Sequence, residues 1–283
     1  MHDQSLADAL TLQPLAEGGL QAEATLAFSN APLEMDPQKG GLFGGLLAAL
    51  SVGAARRALD VRLPLRTLTI QYLAAPRFEP MTFEARELRG GRNVAYAGIS
   101  GGQADRPAVQ ALATFGRDHS GPDLAIHRPE LTAREACDHH PLDPRYAPWF
   151  TRHIAYAMPE GPRLFGQNAG GDVVLRTWMR CSDGAALDEA RLLFLLDGLY
   201  PTYWTALPAP PHVAASVDLR ADLVGHLTPD TSPDGWAFFE FRTQDLGGGW
   251  AVEDGWAFAP DGRLLALVRQ RRKLMPIRLT AAG

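Results

Sequence analysis

One order of elements occurs twice along this 283-residue chain, and that repeat constrains the fold more than any single motif. Residues 40–59 (GGLFGGLLAALSVGAARRAL) carry small and apolar residues at helical spacing, and residues 64–76 (PLRTLTIQYLAAP) alternate as a strand. Three more strand patterns follow, MTFEAREL, NVAYAGIS and AVQALATFG, separated by turn formers at 89–92 and 101–107. The second half repeats the order. Residues 188–207 (DEARLLFLLDGLYPTYWTAL) have helical period with acidic residues in the first turn, where the helix dipole favours them. Then come HVAASVDLRADLVG, GWAFFEFRTQ, GWAVEDGWAF and RLLALVRQRRKLM, joined by hairpin chemistry at Gly247-Gly248-Gly249 and Pro260-Asp261-Gly262. Each half also opens with its own strand material: LTLQPL and AEATLAFS in the first, FTRHIAYAM and GGDVVLRTWMR in the second. The repeat is one of architecture, with little identity of letters.

A single helix of about five turns cannot cover a flat sheet of this width, so the sheet must curl around it. The expectation is an α+β protein of two units, each a curled antiparallel sheet wrapped around a central helix. Glycine and alanine in the first helix allow the close backbone approach that this requires. The expected boundaries are 1–117, a linker at 118–148 rich in Pro, Asp and His, and 149–283.

Composition removes several classes of function. At 46% hydrophobic and 21% charged residues the chain is globular, and a net charge of −5 argues against a nucleic-acid partner. No apolar run approaches the ~18 residues of a membrane span. Cys137 and Cys181 are too few for a disulfide framework, and the first four residues lead into no apolar core, so a cytoplasmic protein is expected. Cys137-Asp138-His139-His140 holds metal-ligand residue types, but adjacent histidines seldom converge on one ion and no second cluster has ligand spacing. Five of the eight histidines lie between His119 and His153, in or beside the linker, so histidine is not read as a base. No nucleophile elbow is read, and the glycine pairs fall at hairpins rather than before a phosphate-binding helix. The expectation is no metal and no organic cofactor.

Four stretches carry a family likeness: Phe43-Gly44-Gly45 at the first helix start, Asp197 within LLFLLDGLYP, Ala215-Ser216-Val217-Asp218, and Gly262-Arg263-Leu264-Leu265-Ala266 followed by Gln270. With the doubled architecture, they resemble the double-hotdog acyl-CoA thioesterases of the thioesterase II family. That resemblance implies a double hotdog fold and hydrolysis of an acyl-CoA substrate. It also implies that Asp197, Ser216 and Gln270 together activate the attacking water. The chain departs from the family pattern in having Gln270-Arg271-Arg272 for Gln-Glu-Gly, Leu46 for a polar residue, and only Gly247-Gly248-Gly249 of a longer glycine-rich segment.

The residues themselves admit more than one reading. Asp197 shares a helical face with Leu193, Phe194, Tyr200 and Pro201. It reads either as a general base with a pKa raised by desolvation, or as a buried aspartate capping a helix broken by Pro201. By strand alternation Ser216 lies with Asp218, Arg220 and Asp222, opposite Val217, Leu219, Ala221 and Leu223. It takes part in catalysis only if the site lies at the junction of the units, and is otherwise an ordinary strand-start serine. Gln270 shares a face with Leu264, Ala266 and Val268, and either holds a water with donor and acceptor or is a satisfied core amide. Arg269, Arg271 and Lys273 on the alternate face meet the phosphates of coenzyme A or form a solvated edge. Gly44 and Gly45 offer helix N-terminal N–H groups to an oxyanion, permit close helix–sheet packing, or do both. Trp250, Val252, Trp256 and Phe258 read as an aromatic wall of an acyl pocket or as bulky core.

Two other functions compete with hydrolysis. One is a non-catalytic acyl or aromatic binder. The other is an enoyl-CoA hydratase, which would want an Asp/His pair entering a helix, and none is found. Two fused units already supply the pairing that single hotdogs obtain by dimerising, while exposed sheet faces or edges would allow two chains to associate further.

Overall fold

The computed structural model describes residues 4–276 except 105, 122–123, 125–130, 140–141, 160–163, 166–171, 209–211 and 226. In the first half a one-turn helix α1 (Leu6–Ala9) precedes β1 (Gln13–Pro14) and β2 (Leu20–Ala22). Then come α2 (Gly44–Leu59), β3 (Leu65–Tyr72), β4 (Met81–Arg89), β5 (Val94–Gln103) and β6 (Arg106–Gly116). The second half has β7 (Ile154–Ala157), β8 (Val174–Cys181), α3 (Glu189–Leu196), β9 (His212–Leu223), β10 (Ala237–Gly247), β11 (Trp250–Phe258) and β12 (Leu264–Pro276).

Where the sequence suggests two sheets, one antiparallel sheet of 12 strands forms, in the order β1-β2-β4-β5-β6-β3-β9-β12-β11-β10-β8-β7. Outward from the β3–β9 seam the first half runs β3, β6, β5, β4, β2, β1 and the second runs β9, β12, β11, β10, β8, β7. The two halves therefore share one connectivity, as the repeat of patterns suggests. The seam has a simple cause: unpaired, β3 and β9 would each leave a row of open N–H and C=O groups. Pairing from Thr67↔Asp222 to Gln71↔Asp218 satisfies both rows, and Thr67 Oγ1 adds a 3.0 Å hydrogen bond to Asp222.

The two central helices differ. The small residues of α2 leave Gly45–Val52 and Ala54–Ala55 buried, and the helix packs on strands β2 to β6 and on α3. The second helix is much shorter than its periodic stretch: it stops after Leu196, and Thr202–Thr205 form a separate 3-10 turn. Pro201 lacks an N–H and disfavours helix at Tyr200, while Gly198 weakens the last turn. The break leaves Asp197 as the C-cap of α3. AEATLAFS and FTRHIAYAM are likewise partly 3-10 helix (Leu26–Phe28, Trp149–His153).

The helices run antiparallel. Arg56 in the last turn of α2 bonds Glu189 in the first turn of α3, and the start of α2 meets Asp197 at the end of α3. Phe43, the N-cap of α2, stacks on Phe150 with ring centroids 3.6 Å apart and meets Phe194 edge-on at 5.0 Å. These rings fix the tip of one half's helix against the other half.

Candidate active site

The chemistry-bearing side chains gather where the α2 tip faces the end of α3. Gly44 is needed there because of space: a Cβ at this position would stand 2.7 Å from Asp197 Oδ2 and 3.2 Å from Tyr72 Cζ. Its absence lets the carboxylate approach the free N–H groups of the helix start, where the dipole favours negative charge. The backbone N–H of Gly45 donates to Asp197, and Tyr72 Oη donates to the Gly44 carbonyl at 3.1 Å.

Asp197, Ser216 and Gln270 come together around one nitrogen atom. Gln270 Nε2 donates to Asp197 Oδ1 at 2.6 Å and to Ser216 Oγ at 2.6 Å. Strict alternation would turn Ser216 away from Gln270, but a β-bulge intervenes. Asp218 pairs with Arg271 and Ser216 with Arg272, so Val217 is the extra residue and the parity resets. Through that bulge Ser216 reaches the inner face while still pairing with Arg272.

The next inner-face position of β12 carries a residue the sequence reading left aside. Arg272 is only 9% exposed, and its Nη2 donates to Gln270 Oε1 at 2.6 Å. Its Nη1 lies 3.3 Å from Ser216 Oγ, and its Nη2 is 3.8 Å from Asp197 Oδ1. Its Nε donates to Glu253 Oε2 at 2.6 Å, and Glu253 is itself 5% exposed. The other Glu253 oxygen accepts from the Thr202 backbone N–H at 2.6 Å and from Thr202 Oγ1 at 2.5 Å. Alternation held a signal for both charges. Arg272 has the parity of Ala266, Val268 and Gln270, and Glu253 that of Ala251, Gly255 and Ala257. Two opposite charges on the apolar faces of adjacent strands mark a buried pair.

A guanidinium only donates, so Gln270 must turn its carbonyl oxygen to Arg272 and its amide nitrogen to Asp197 and Ser216. The expected water contact through both ends of the amide is therefore reduced to donation alone. Two carboxylates and one guanidinium are buried together. Burial pushes the Asp197 carboxyl above its ordinary value; Arg272, the Gln270 amide and the Gly45 N–H draw it back, and Glu253 adds to the rise. Burial opposes the charge on Arg272, but Glu253 and Asp197 outweigh it and hold the guanidinium ionised. A cavity with room for about one water molecule lies against Gln270, Arg272, Glu253, Thr202, Tyr200 and Phe241.

Several other expectations change. β12 lies inside the sheet, so Arg269, Arg271 and Lys273 form no edge: Arg269 pairs with Asp254 at 2.6 Å, and Lys273 Nζ sits 4.6 Å over the Trp250 ring. Trp250, Val252, Trp256 and Phe258 do share one face of β11, but it is the face away from Glu253, where Phe258 packs with Trp178, Trp236 and Phe238 and Trp256 packs against them; this aromatic face does not reach the site. Gly98-Ile99-Ser100-Gly101-Gly102 does have Gly-x-Ser-x-Gly spacing, but Ser100 lies exposed within β5, paired with Glu84 and Gln110, and not on a strand-to-helix turn. Among the described residues no three of His, Cys, Asp and Glu stand close enough to hold a metal; His140 lies outside them.

The fold is that of the hot dog proteins. A protein from Alicyclobacillus acidocaldarius, described as a conserved protein of unknown function with a hot dog fold, superimposes with a TM-score of 0.82 at 20% identity, covering 95% of this chain and 97% of that one. Two family models match the sequence, the acyl-CoA thioesterase N-terminal domain over residues 31–116 and the acyl-CoA thioesterase C-terminal domain over residues 134–271. The chain belongs to the acyl-CoA thioesterase family. It is also similar in structure to an acyl-CoA thioesterase II from Mycobacterium marinum (TM-score 0.75, 18% identity, 96% of this chain and 98% of that one). A tesB protein from Mycobacterium avium subsp. paratuberculosis superimposes with a TM-score of 0.72 at 16% identity, over 96% and 98%. Among curated protein sequences none matches.

Proposed function

We propose that this protein hydrolyses acyl-CoA thioesters to a free acid and coenzyme A, with Asp197 as general base. The observation that carries the reading is the Gln270 amide nitrogen bridging a buried carboxylate and a hydroxyl at a helix N-terminus, in a chain of this family. Water enters in place of the Gln270–Asp197 contact, so that Nε2 then donates to the water oxygen. Asp197 takes a proton as that oxygen attacks the thioester carbon. The tetrahedral oxyanion forms against the N–H groups of Gly44 and Gly45. Protonation of Asp197 weakens its hold on the Gly45 N–H at the moment the oxyanion needs it. Collapse expels the thiolate, and the proton on Asp197 passes to sulfur, leaving acid and thiol in balance.

Ser216 acts here as a donor and not as a nucleophile. Its oxygen already accepts from Gln270 and from Arg272, which ties up the lone pairs an attacking alkoxide would need. The thioester carbonyl is electrophilic without metal or organic cofactor. Around this site we read each half as a curled sheet wrapped on its helix, with boundaries at 117 and 149, and place the protein in the cytoplasm.

The test is a panel of acyl-CoA esters monitored for free thiol. Thiol release supports the reading. Thermal stabilisation by the ester without release would instead indicate a binding protein, and hydration of an enoyl-CoA without release a hydratase.

A further inference from the structure

Arg272 is the one cation buried in the cluster, and it stands where the family pattern quoted above has glycine. It reaches three partners at once: Glu253 through Nε, Gln270 Oε1 through Nη2 and Ser216 Oγ through Nη1. Glu253 is in turn fixed by both the backbone and the hydroxyl of Thr202, which follows the break in the second helix. The chain of contacts runs from that turn through Glu253 and Arg272 to Gln270, and from there to Asp197.

We propose that Arg272, clamped by Glu253, is a positioning residue that fixes the amide orientation of Gln270 and the donor direction of the Ser216 hydroxyl for thioester hydrolysis. An unclamped glutamine amide can present oxygen or nitrogen to Asp197 with equal reach, and oxygen facing a carboxylate is repulsive and useless for holding water. The guanidinium removes that choice, because only the amide oxygen can accept from it. The same geometry occupies the Ser216 oxygen from the inner side and leaves its proton free to donate outward. Asp197 is faced by Arg272 and Gln270 from β12, Ser216 from β9, Glu253 from β11, Tyr72 from β3, and the Gly44–Gly45 start of α2. Among these the single formal positive charge is on Arg272, so its loss also disfavours the ionised base.

The proposal rests on the thioesterase reading and is tested in the full chain with Arg272→Met, Arg272→Lys and the double variant Glu253→Gln/Arg272→Met. With the best acyl-CoA ester of the panel, Arg272→Met is expected to lower kcat about 100-fold with KM little changed, the cost of a slightly misplaced catalytic group. Its acid limb in the pH–rate profile should move to higher pH. Arg272→Lys should return the limb toward the wild-type position but recover kcat only in part, because a point charge cannot bridge three acceptors as a planar fork does. In the double variant the added Glu253 change should cost little further kcat, since Glu253 acts through Arg272. A merely structural role predicts lower thermal stability with kcat per folded molecule and the pH limb both unmoved, and that result would overturn the proposal. A readout independent of turnover keeps the two readings apart. The Gln270 side-chain amide protons should be well separated by NMR and slow to exchange in the wild type, and should lose that protection in Arg272→Met. If wild-type protein releases no thiol, the thioesterase reading fails on that assay alone. The amide signal still decides the clamp: unchanged protection in Arg272→Met would refute it.

Discussion

The two ends of the antiparallel helix pair use similar parts for opposite purposes. At one end the last turn of α2 meets the first turn of α3. Arg56 Nε donates to Glu189 Oε2 at 3.0 Å, Arg56 Nη1 to the Val61 carbonyl at 2.8 Å, and the Leu65 N–H to Glu189 Oε1 at 2.8 Å. Each charge lies at the helix end whose dipole favours it, and one cation meets one anion. At the other end Asp197 sits at the C-terminus of α3, where its own helix disfavours a carboxylate, and is held by the start of α2. There two carboxylates share one guanidinium, and an amide and a hydroxyl complete the set. A matched, dipole-favoured pair stabilises the doubled fold. An excess buried carboxylate held against its own helix end is a local conflict of the kind that proteins keep at functional sites.

Substitutions at the two ends should therefore separate activity from stability. With the base itself left in place, a large effect is expected from Gly44→Ala, whose methyl group would have to displace the Asp197 carboxylate from 2.7 Å. Hydrolysis should drop about 100-fold, read as thiol release by protein of unchanged secondary structure. Ser216→Ala removes one donor from the water or thioester and should cost about tenfold in kcat, the worth of a single hydrogen bond. At the opposite end Glu189→Ala strands Arg56 and the Leu65 N–H. It should cost about 1–3 kcal/mol in a denaturant titration while thiol release per folded molecule stays as in the wild type. A Glu189→Ala protein that stays stable but loses turnover would erase the distinction between the ends.

Much of this was legible in the chain, for identifiable reasons. Helical and strand periods do not depend on partners, so the repeat of one helix and four strands stands in the sequence; that Asp197, Ser216 and Gln270 belong together is implied only by the resemblance to the thioesterase II family. What escaped depends on pairing between distant segments. The single sheet requires β3 to find β9, and nothing in either strand announces its partner. The face of Ser216 depends on a bulge opposite Arg271 and Arg272, which a count along one strand cannot include. The second helix ran too long because the apolar period continues past Asp197, although Gly198 and Pro201 already marked the stop. Alternation puts Arg272 and Glu253 each on the apolar face of its own strand, but a single strand names no partner for its charge. Only β11–β12 pairing, with Glu253 opposite Gln270, shows that the two meet.

The central claim is that Asp197, raised by burial and held at the tip of α2, is the base that activates water. The direct measurement is the pH–rate profile for thiol release by wild-type protein and Asp197→Asn, on protein shown to be folded. A base must be ionised to work, so wild-type kcat should rise with pH along a limb that lies above the ordinary carboxylate range, the direction of the Asp197 shift. Asp197→Asn should lose that limb and run about two to four decades slower at the plateau. An Asp197→Asn protein with the wild-type rate and limb would contradict the account.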